Sequence, residues 1–430
     1  MKKWLHLSFI SLLLISCGAG SGLIFGSESE NSLAASPLGL ERVLAEVQRE
    51  NPEIKAARER WRAFESRISQ AATPAKPRLD FERMYAPRGK NVWSDAEEKN
   101  LVLSQEIPFP ITLYFSGRRA RQEAGEAEAA YRAKELDVIS RARQAYALLF
   151  LSRHAIHMFE ENVDLMRQFS VVAEAKYAAG KASQSDVLKA QVELSKMLNE
   201  LVTLQQEKET NEAMLNTLLN RPPESPLGFP RDPAPPKMTM TLAELETLAL
   251  EARPELQGAA IAVDKRNTQV ALGRSDYLPD IMLQYRRRNM SSGMDSHDAM
   301  VGFTLPLWFW KQGAMVREAR AERDMAQAEY QSLKSMTLFD VKSLFVKVQT
   351  AQRLIELYQT SVLPQAEHAL KISEASYRAD KMSFLDLLDA VRSLLQFRLE
   401  HYGHFAQYDQ FKAELERVVG IPLVSKETGQ

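Results

Sequence analysis

The chain repeats itself at an offset of about two hundred residues, and this duplication constrains its fold more than any other feature. Asn51-Pro52-Glu53-Ile54 returns as Arg253-Pro254-Glu255-Leu256, and Lys76-Pro77-Arg78-Leu79 as Leu278-Pro279-Asp280-Ile281, both 202 residues later. Tyr177-Ala178-Ala179-Gly180-Lys181-Ala182-Ser183 returns as Tyr377-Arg378-Ala379-Asp380-Lys381-Met382-Ser383, and Asp186-Val187-Leu188 as Asp386-Leu387-Leu388, 200 residues later. The halves align almost without gaps, so one supersecondary plan is used twice.

Each half opens with helical segments, Leu38 to Glu50 and Pro52 to Ala72 in the first, Leu242 to Ala252 and Pro254 to Ser275 in the second. A proline-marked break follows, then two short runs of alternating apolar residues. Leu79 and Phe81 pair with Leu101 and Leu103; Ile281, Leu283 and Tyr285 pair with Val301, Phe303 and Leu305. Alternation of this length bounded by proline predicts a β-hairpin in each half, with polar loops over 86–99 and 286–298.

A long helical segment follows each hairpin, from about Arg118 to Ala178 and from about Ala314 to Arg378. At 1.5 Å per residue, roughly 60 residues span ~90 Å, far beyond a globular helix. Apolar residues step by heptads: Ala142, Leu149, Ile156 and Val163 with Ala145, Phe159 and Met166, then Val341, Val348, Ile355 and Val362 with Leu344, Ala351 and Tyr358. Such a narrow stripe predicts a coiled-coil seam whose residues pack and do no chemistry. Turns at Gly180 and Asp380 send the chain back along helices over Ser183–Leu219 and Ser383–Val419. Seven prolines between Pro222 and Pro236 mark a linker, read as a spacer.

The N-terminus is a targeting segment. Lys2 and Lys3 precede an apolar run ending Leu14-Ile15-Ser16-Cys17-Gly18, which resembles a bacterial lipobox, and Cys17 is the only cysteine of the chain. Lipidation at Cys17 is expected, with Gly18 fitting delivery to the outer membrane; the alternative is a plain secretory signal. The domain reading is a signal peptide at 1–16, a lipidated segment at 17–37, a first repeat at 38–220, a Pro-rich linker at 221–240, a second repeat at 241–422 and a tail at 423–430. No later stretch holds the ~18 consecutive apolar residues of a spanning helix, so any crossing of a membrane must use β-strands. With 55 basic against 56 acidic residues, the charge balance argues against a nucleic-acid partner. Seven His and one Cys leave little material for a metal or thiol enzyme, and no nucleophile, metal or phosphate motif is evident.

Four strands per chain cannot close a membrane barrel, which needs at least ~8. Open sheet edges are not tolerated in lipid, so oligomerisation is forced. Two copies give 8 strands, whose interior side chains nearly fill; three give 12 and leave room for a channel.

Asn51-Pro52, Gln105-Glu106-Ile107-Pro108-Phe109-Pro110, Thr304-Leu305-Pro306-Leu307, Val362-Leu363-Pro364-Gln365-Ala366 and two Tyr-x-x-x-Lys-x-Ser-x-x-Asp turns occur in an order and spacing that resembles the TolC-like outer-membrane efflux family over nearly the whole mature chain. The resemblance implies a mainly α chain with a small β part, assembled as a homotrimer with a 12-stranded barrel on an α-helical tunnel. It also implies a passive exit duct without enzymatic activity or cofactor, joined through a periplasmic adaptor to an inner-membrane pump. The run Ser104 to Pro110 and the compact length look most like the heavy-metal cation-efflux branch. A second class, a structural coiled-coil lipoprotein without channel activity, accounts for the heptads and Cys17 but not for the duplicated hairpins.

The resemblance assigns a periplasmic gate to Asp386 and Asp389, one helical turn apart, and to Asp186; under threefold symmetry the pair becomes a ring of six carboxylates. The alternative is that Asp186 and Asp386 cap the first turn of the returning helices. Gly180, Lys181, Asp380 and Lys381 would meet the adaptor, although the family's usual Val-Gly-Leu or Val-Gly-Thr is replaced by Ala179-Gly180-Lys181 and Ala379-Asp380-Lys381. Met290, Met294, His297 and Met300, read as lying in the second hairpin loop, are soft-ion ligand types; chance composition is the alternative, since the chain holds 16 Met. Trp308, Phe309 and Trp310 suit an aromatic belt at the membrane interface or packing where barrel meets tunnel.

Overall fold

Both halves fold on the same plan in a computed structural model that describes residues 37–231, 238–290, 293 and 295–423. Cys17, Met294 and the prolines at 233, 235 and 236 lie outside the described residues. The first half runs α1 (Leu40–Glu50), α2 (Pro52–Ala71), β1 (Arg78–Met84), α3 (Val92–Asp95), β2 (Glu98–Ile107), α4 (Pro110–Ala178) and α5 (Gln184–Leu218). The second runs α6 (Leu242–Ala252), α7 (Pro254–Ser275), β3 (Asp280–Met290), β4 (Asp295–Thr304), α8 (Phe309–Leu357), a π-helical turn (Tyr358–Val362), α9 (Leu363–Arg378) and α10 (Phe384–Val419). The two hairpins join into one antiparallel sheet of order β1-β2-β3-β4.

Local chemistry explains the breaks. Asn51 ends α1 and starts α2: its side-chain oxygen accepts from the amides of Glu53 at 2.9 Å and Ile54 at 3.3 Å, while its amide donates to Leu218 O at 2.9 Å. Proline at the next position loses only an amide that the first helical turn would leave free. α10 ends at Gly420, whose φ of 90° suits the left-handed cap and where a Cβ would lie 2.7 Å from Ala252 O.

Three apolar clusters hold the helices. Val43, Val47 and Ile54 of α1 and α2 pack on Val138, Ala142, Leu149 and Leu215. The second half repeats this with Leu245 and Ala249 on Val341, Val348, Ile355 and Leu415. The third joins the halves: Met166, Phe169 and Ala190 of α4 and α5 against Tyr377, Phe384, Leu387 and Leu388. Most heptad residues named above are buried, as a packing seam requires.

Four details differ from the sequence reading. α4 begins at Pro110 rather than near residue 118, because proline is favoured at the first helical position. The second long helix begins at Phe309 and carries the π-helical turn at Tyr358–Val362, just before Pro364, which removes an amide donor from the ladder. The second hairpin loop is shorter than 286–298: Arg287–Asp295 at 3.0 Å and Arg288–Asp298 at 2.8 Å pair across the strands, so polar composition there marks strand and not loop. The described part of the linker is packed rather than a free spacer. Leu227 is buried, Leu38 N donates to Phe229 O at 2.7 Å, and Asn216 Nδ2 donates to Ser225 O at 2.8 Å.

Candidate functional site

The sheet has two chemically distinct faces. Opposed residues in an antiparallel register point to the same side. Register therefore places Leu79, Phe81, Leu101, Leu103, Ile281, Leu283, Tyr285, Val301 and Phe303 on one face. Phe81 is 69% exposed and Val301 and Phe303 61% each, an apolar surface that none of the described residues covers. The opposite face carries Asp80, Glu82, Glu98, Glu106, Asp280 and Asp298 against Arg78, Arg286 and Arg288. Arg288 bridges Glu98 at 3.1 Å and Asp298 at 2.8 Å, and acids outnumber bases six to three there. Trp308, Phe309 and Trp310 are exposed where β4 passes into α8, with the Trp rings 5.3 Å apart, and Tyr85 and Trp93 are exposed at the other end of the strands. Among the described residues no helix is long and apolar enough to cross a membrane.

The chain reversals lie at the far end of α4, whose 69 residues span ~100 Å. Gly180 and Asp380 both adopt the left-handed conformation, with φ of 70° and 60°. Ser183 caps α5 in a reciprocal box: its hydroxyl accepts from Asp186 N at 3.3 Å, and Asp186 Oδ2 accepts from Ser183 N at 3.2 Å. Ser383 caps α10 similarly, accepting from Asp386 N at 3.2 Å and donating to Asp386 Oδ2 at 2.7 Å. Asp186 and Asp386 therefore take the capping role within the chain. Asp386 and Asp389 also share an exposed face of α10, while Leu387, Leu388 and Val391 on the other side are buried.

The reversals are cross-tied. Asp380 Oδ1 lies 2.6 Å from Lys176 Nζ and its Oδ2 3.2 Å from Lys181 Nζ. Lys176, and after it Lys181, hold the Asp380 carboxyl below the usual carboxylate range. Lys381 is exposed at the turn. Tyr377 is buried with its hydroxyl unpartnered among the described residues, and burial, then the charges of Asp186 and Asp380, push the phenol up. Further along, Arg392 Nε donates to Glu193 Oε1 at 2.8 Å and a second guanidinium bond reaches Glu193 Oε2, which holds the Glu193 carboxyl down. Lys176, Glu193 and Arg392 were not singled out from the sequence. The signal was where the repeat breaks: Lys176 matches Ser376, Gly180 matches Asp380, Val192 matches Arg392 and Glu193 matches Ser393.

The Met/His group is spread along strands. Met290 ends β3, while His297 and Met300 lie on β4. His297 opposes Arg287 on the apolar face, its Nδ1 2.7 Å from Tyr285 Oη; Met300 opposes Gln284 on the charged face. Met290 shares the face of Met300 but sits six residues from its partner Gln284, ~20 Å along the strand. Among the described residues no group of three or more His, Cys, Asp or Glu is placed to hold a metal ion.

A sheet with one exposed apolar face and one charged face, carried on helices ~100 Å long, is the build of an outer-membrane channel. Residues 43–221 and 245–421 match the family model for outer membrane efflux proteins, and the chain belongs to that family. It is 26% identical over 402 residues to the cobalt-zinc-cadmium resistance protein CzcC of Cupriavidus metallidurans, covering 90% of this chain and 91% of that protein. Its fold is similar to the outer membrane protein VceC of Vibrio cholerae, with a TM-score of 0.76 at 18% identity over 90% of this chain and 97% of that one. CusC crystal structures, described as showing conformational changes that accompany transmembrane channel formation, give 0.77 at 17% identity over 89% and 92%. At these identities the structural likeness establishes the fold.

Proposed function

We propose that three copies of this chain close a 12-stranded barrel and form the passive, non-enzymatic outlet of a tripartite efflux assembly. The carrying observation is the sheet itself: among the described residues β1 and β4 both leave an edge unpaired, while one face is apolar and exposed. In lipid such edges must be paired, and further copies supply strands of matching length. Leu188, Val192 and Val202 on α5, and Phe339 and Val346 on α8, are exposed apolar residues on helices of this length, which suits burial between copies in a helical tunnel.

Energy for export then comes from an inner-membrane pump, reached through a periplasmic adaptor that meets the turns at Gly180, Lys181, Asp380 and Lys381. Asp386 and Asp389, repeated by symmetry with Asp186 nearby, form the acidic gate at that end. Cations are the favoured cargo: the inner face of the sheet has an acidic excess, and the CzcC relative is named for cobalt, zinc and cadmium resistance. Lipid at Cys17 anchors the assembly. Mass measurement of the complex extracted in mild detergent tests the reading. A trimer is expected; a monomer or dimer as the sole species overturns it.

A further inference from the structure

We propose that Arg83, Lys99 and Arg287 form a basic strip that holds the phosphate of a lipid headgroup, where the apolar sheet face ends toward the hairpin loops. This rests on the duct reading above, which turns that face toward lipid.

Strand register places the strip. On the apolar face, Ile107, Ile281 and Phe303 form the row nearest the long helices. Further rows, two residues apart, lead to Phe81 opposite Leu101, and the next pair on the same face is Arg83 opposite Lys99. Leu101 in turn opposes Arg287, so Lys99 and Arg287 are diagonal neighbours on β2 and β3. Side chains directly opposite lie about 5 Å apart at Cβ, and diagonal ones about 7–8 Å. All three bases are exposed. The long helices leave the sheet at its other end and extend into the periplasm, so the strip lies on the side of the outer leaflet.

Strand pairing alone does not explain the strip. Arg83 and Lys99 set like charges directly across two strands, which weakens the pair. Neither charge meets a carboxylate among the described residues. Arg83 donates to the Trp93 carbonyl and lies 5.6 Å from the centroid of that ring, and the Lys99 side chain has no partner there. Arg287 pairs with Asp295 at 3.0 Å, an acid that also accepts from Asn289 at 2.6 Å. With Glu97 exposed two residues beyond Lys99, the acids at this rim are two against three bases. The opposite face of the same sheet has the reverse excess, so the sign of charge differs between the two faces.

The chemistry selects the occupant. A charge turned toward hydrocarbon is costly at the bilayer centre, and the cost falls away near the interface. Cations following directly on Phe81 and Leu101 therefore mark the level at which acyl chains give way to headgroups. Arginine meets phosphate with paired N–H donors and lysine meets it as a point charge. Trp93 and Tyr85, exposed at the same end, are residue types of the membrane interface. A phosphorylated glycolipid, the lipid type of a bacterial outer leaflet, would lay its acyl chains on the apolar rows and its phosphate on the strip.

The test measures lipid retained by the purified full-length protein in neutral detergent, by native mass spectrometry. The probes are diphosphorylated lipid A, the same lipid stripped of phosphate, and inorganic phosphate as competitor. Removing the lipid's phosphates, or combining Arg83→Gln, Lys99→Gln and Arg287→Gln, should raise the half-saturating concentration by roughly tenfold or more. Lys99→Gln alone breaks no side-chain bond among the described residues and should raise it by roughly threefold. Arg286→Gln, the same charge change on the opposite face, should leave retention unchanged. Equal retention by wild type and the triple variant overturns the strip, as does retention indifferent to the lipid's phosphates. Displacement by inorganic phosphate at the lipid's own concentration makes this a free-anion site and overturns the headgroup assignment. The same spectra report the oligomer. Protein found only as monomer or dimer, yet retaining phosphorylated lipid through these residues, counts against the duct and for the strip; a trimer indifferent to phosphate counts the other way.

Discussion

Arg392 stands between two carboxylates: its Nη1 is 3.7 Å from Asp389 Oδ1, while its Nε donates to Glu193 Oε1 at 2.8 Å. Glu193 is buried and Asp389 is 63% exposed, so the guanidinium is committed to the former and only partly offsets the latter. Arg392→Ala should therefore have two effects. Leaving Glu193 without its partner should cost about 1–2 kcal/mol at the tip. Freeing Asp389 should tighten multivalent-cation block. Thermal melting and block titration check the two separately.

The same pair sets an acid limit. Glu193 has a folded pKa below its ordinary value of 4.5, because the Arg392 bonds favour the charged form. A depressed carboxylate stabilises the fold above its unfolded pKa and loses that contribution as pH falls through the folded one. Tip stability should hold from pH 7 to about 5 and decline below about 4.5, with a shallower decline in Arg392→Ala. Circular-dichroism melts across that range read this directly.

Asp386→Ala with Asp389→Ala should raise resting conductance and weaken block by a trivalent cation. Opposite unit charges 4 Å apart gain roughly 4 kcal/mol at an effective dielectric of 20, and several ring acids would act on one ion. If these acids serve only to cap α10, thermal stability will fall while block stays unchanged. Bilayer currents with and without the cation distinguish the two.

The sheet faces make a positional prediction. An arginine at Val301 or Phe81, on the apolar face, should cost about 2–4 kcal/mol near the bilayer midplane and reduce barrel assembly. Gln284→Arg, on the charged face, should leave assembly near normal. Heat-resistant oligomer on a gel compares them, and equal yields would contradict the face assignment.

Much of this architecture was legible because it is written in periodicity. The 202- and 200-residue offsets, the proline-bounded alternation and the heptads each correspond to an element of the structure. What was misread had a common cause: polarity and proline are ambiguous locally. Arg286 to Asp298 looked like a loop because this end of the hairpin carries polar residues on both faces, which resembles a loop in composition. Pro110 fell outside the expected helix because its place at the start of a helix depends on what precedes it. The acids proposed for the gate come from the turn motif, yet the residues that fasten the turns, Lys176 and Arg392, have no motif. They appear only when one repeat is compared with the other.

Lipidation can be tested independently of the barrel. Cys17→Ser should abolish incorporation of labelled fatty acid and slow assembly. Equal labelling of variant and wild type would contradict the lipobox reading.

The central claim is that copies of this chain enclose a conducting passage, and single-channel recording across a planar bilayer tests it most directly. Purified trimer carrying Asp386→Ala and Asp389→Ala should insert and pass large ohmic currents, while wild type under the same conditions passes markedly less. A trimer that inserts intact into the bilayer yet carries no current, with the gate acids removed, would contradict the account.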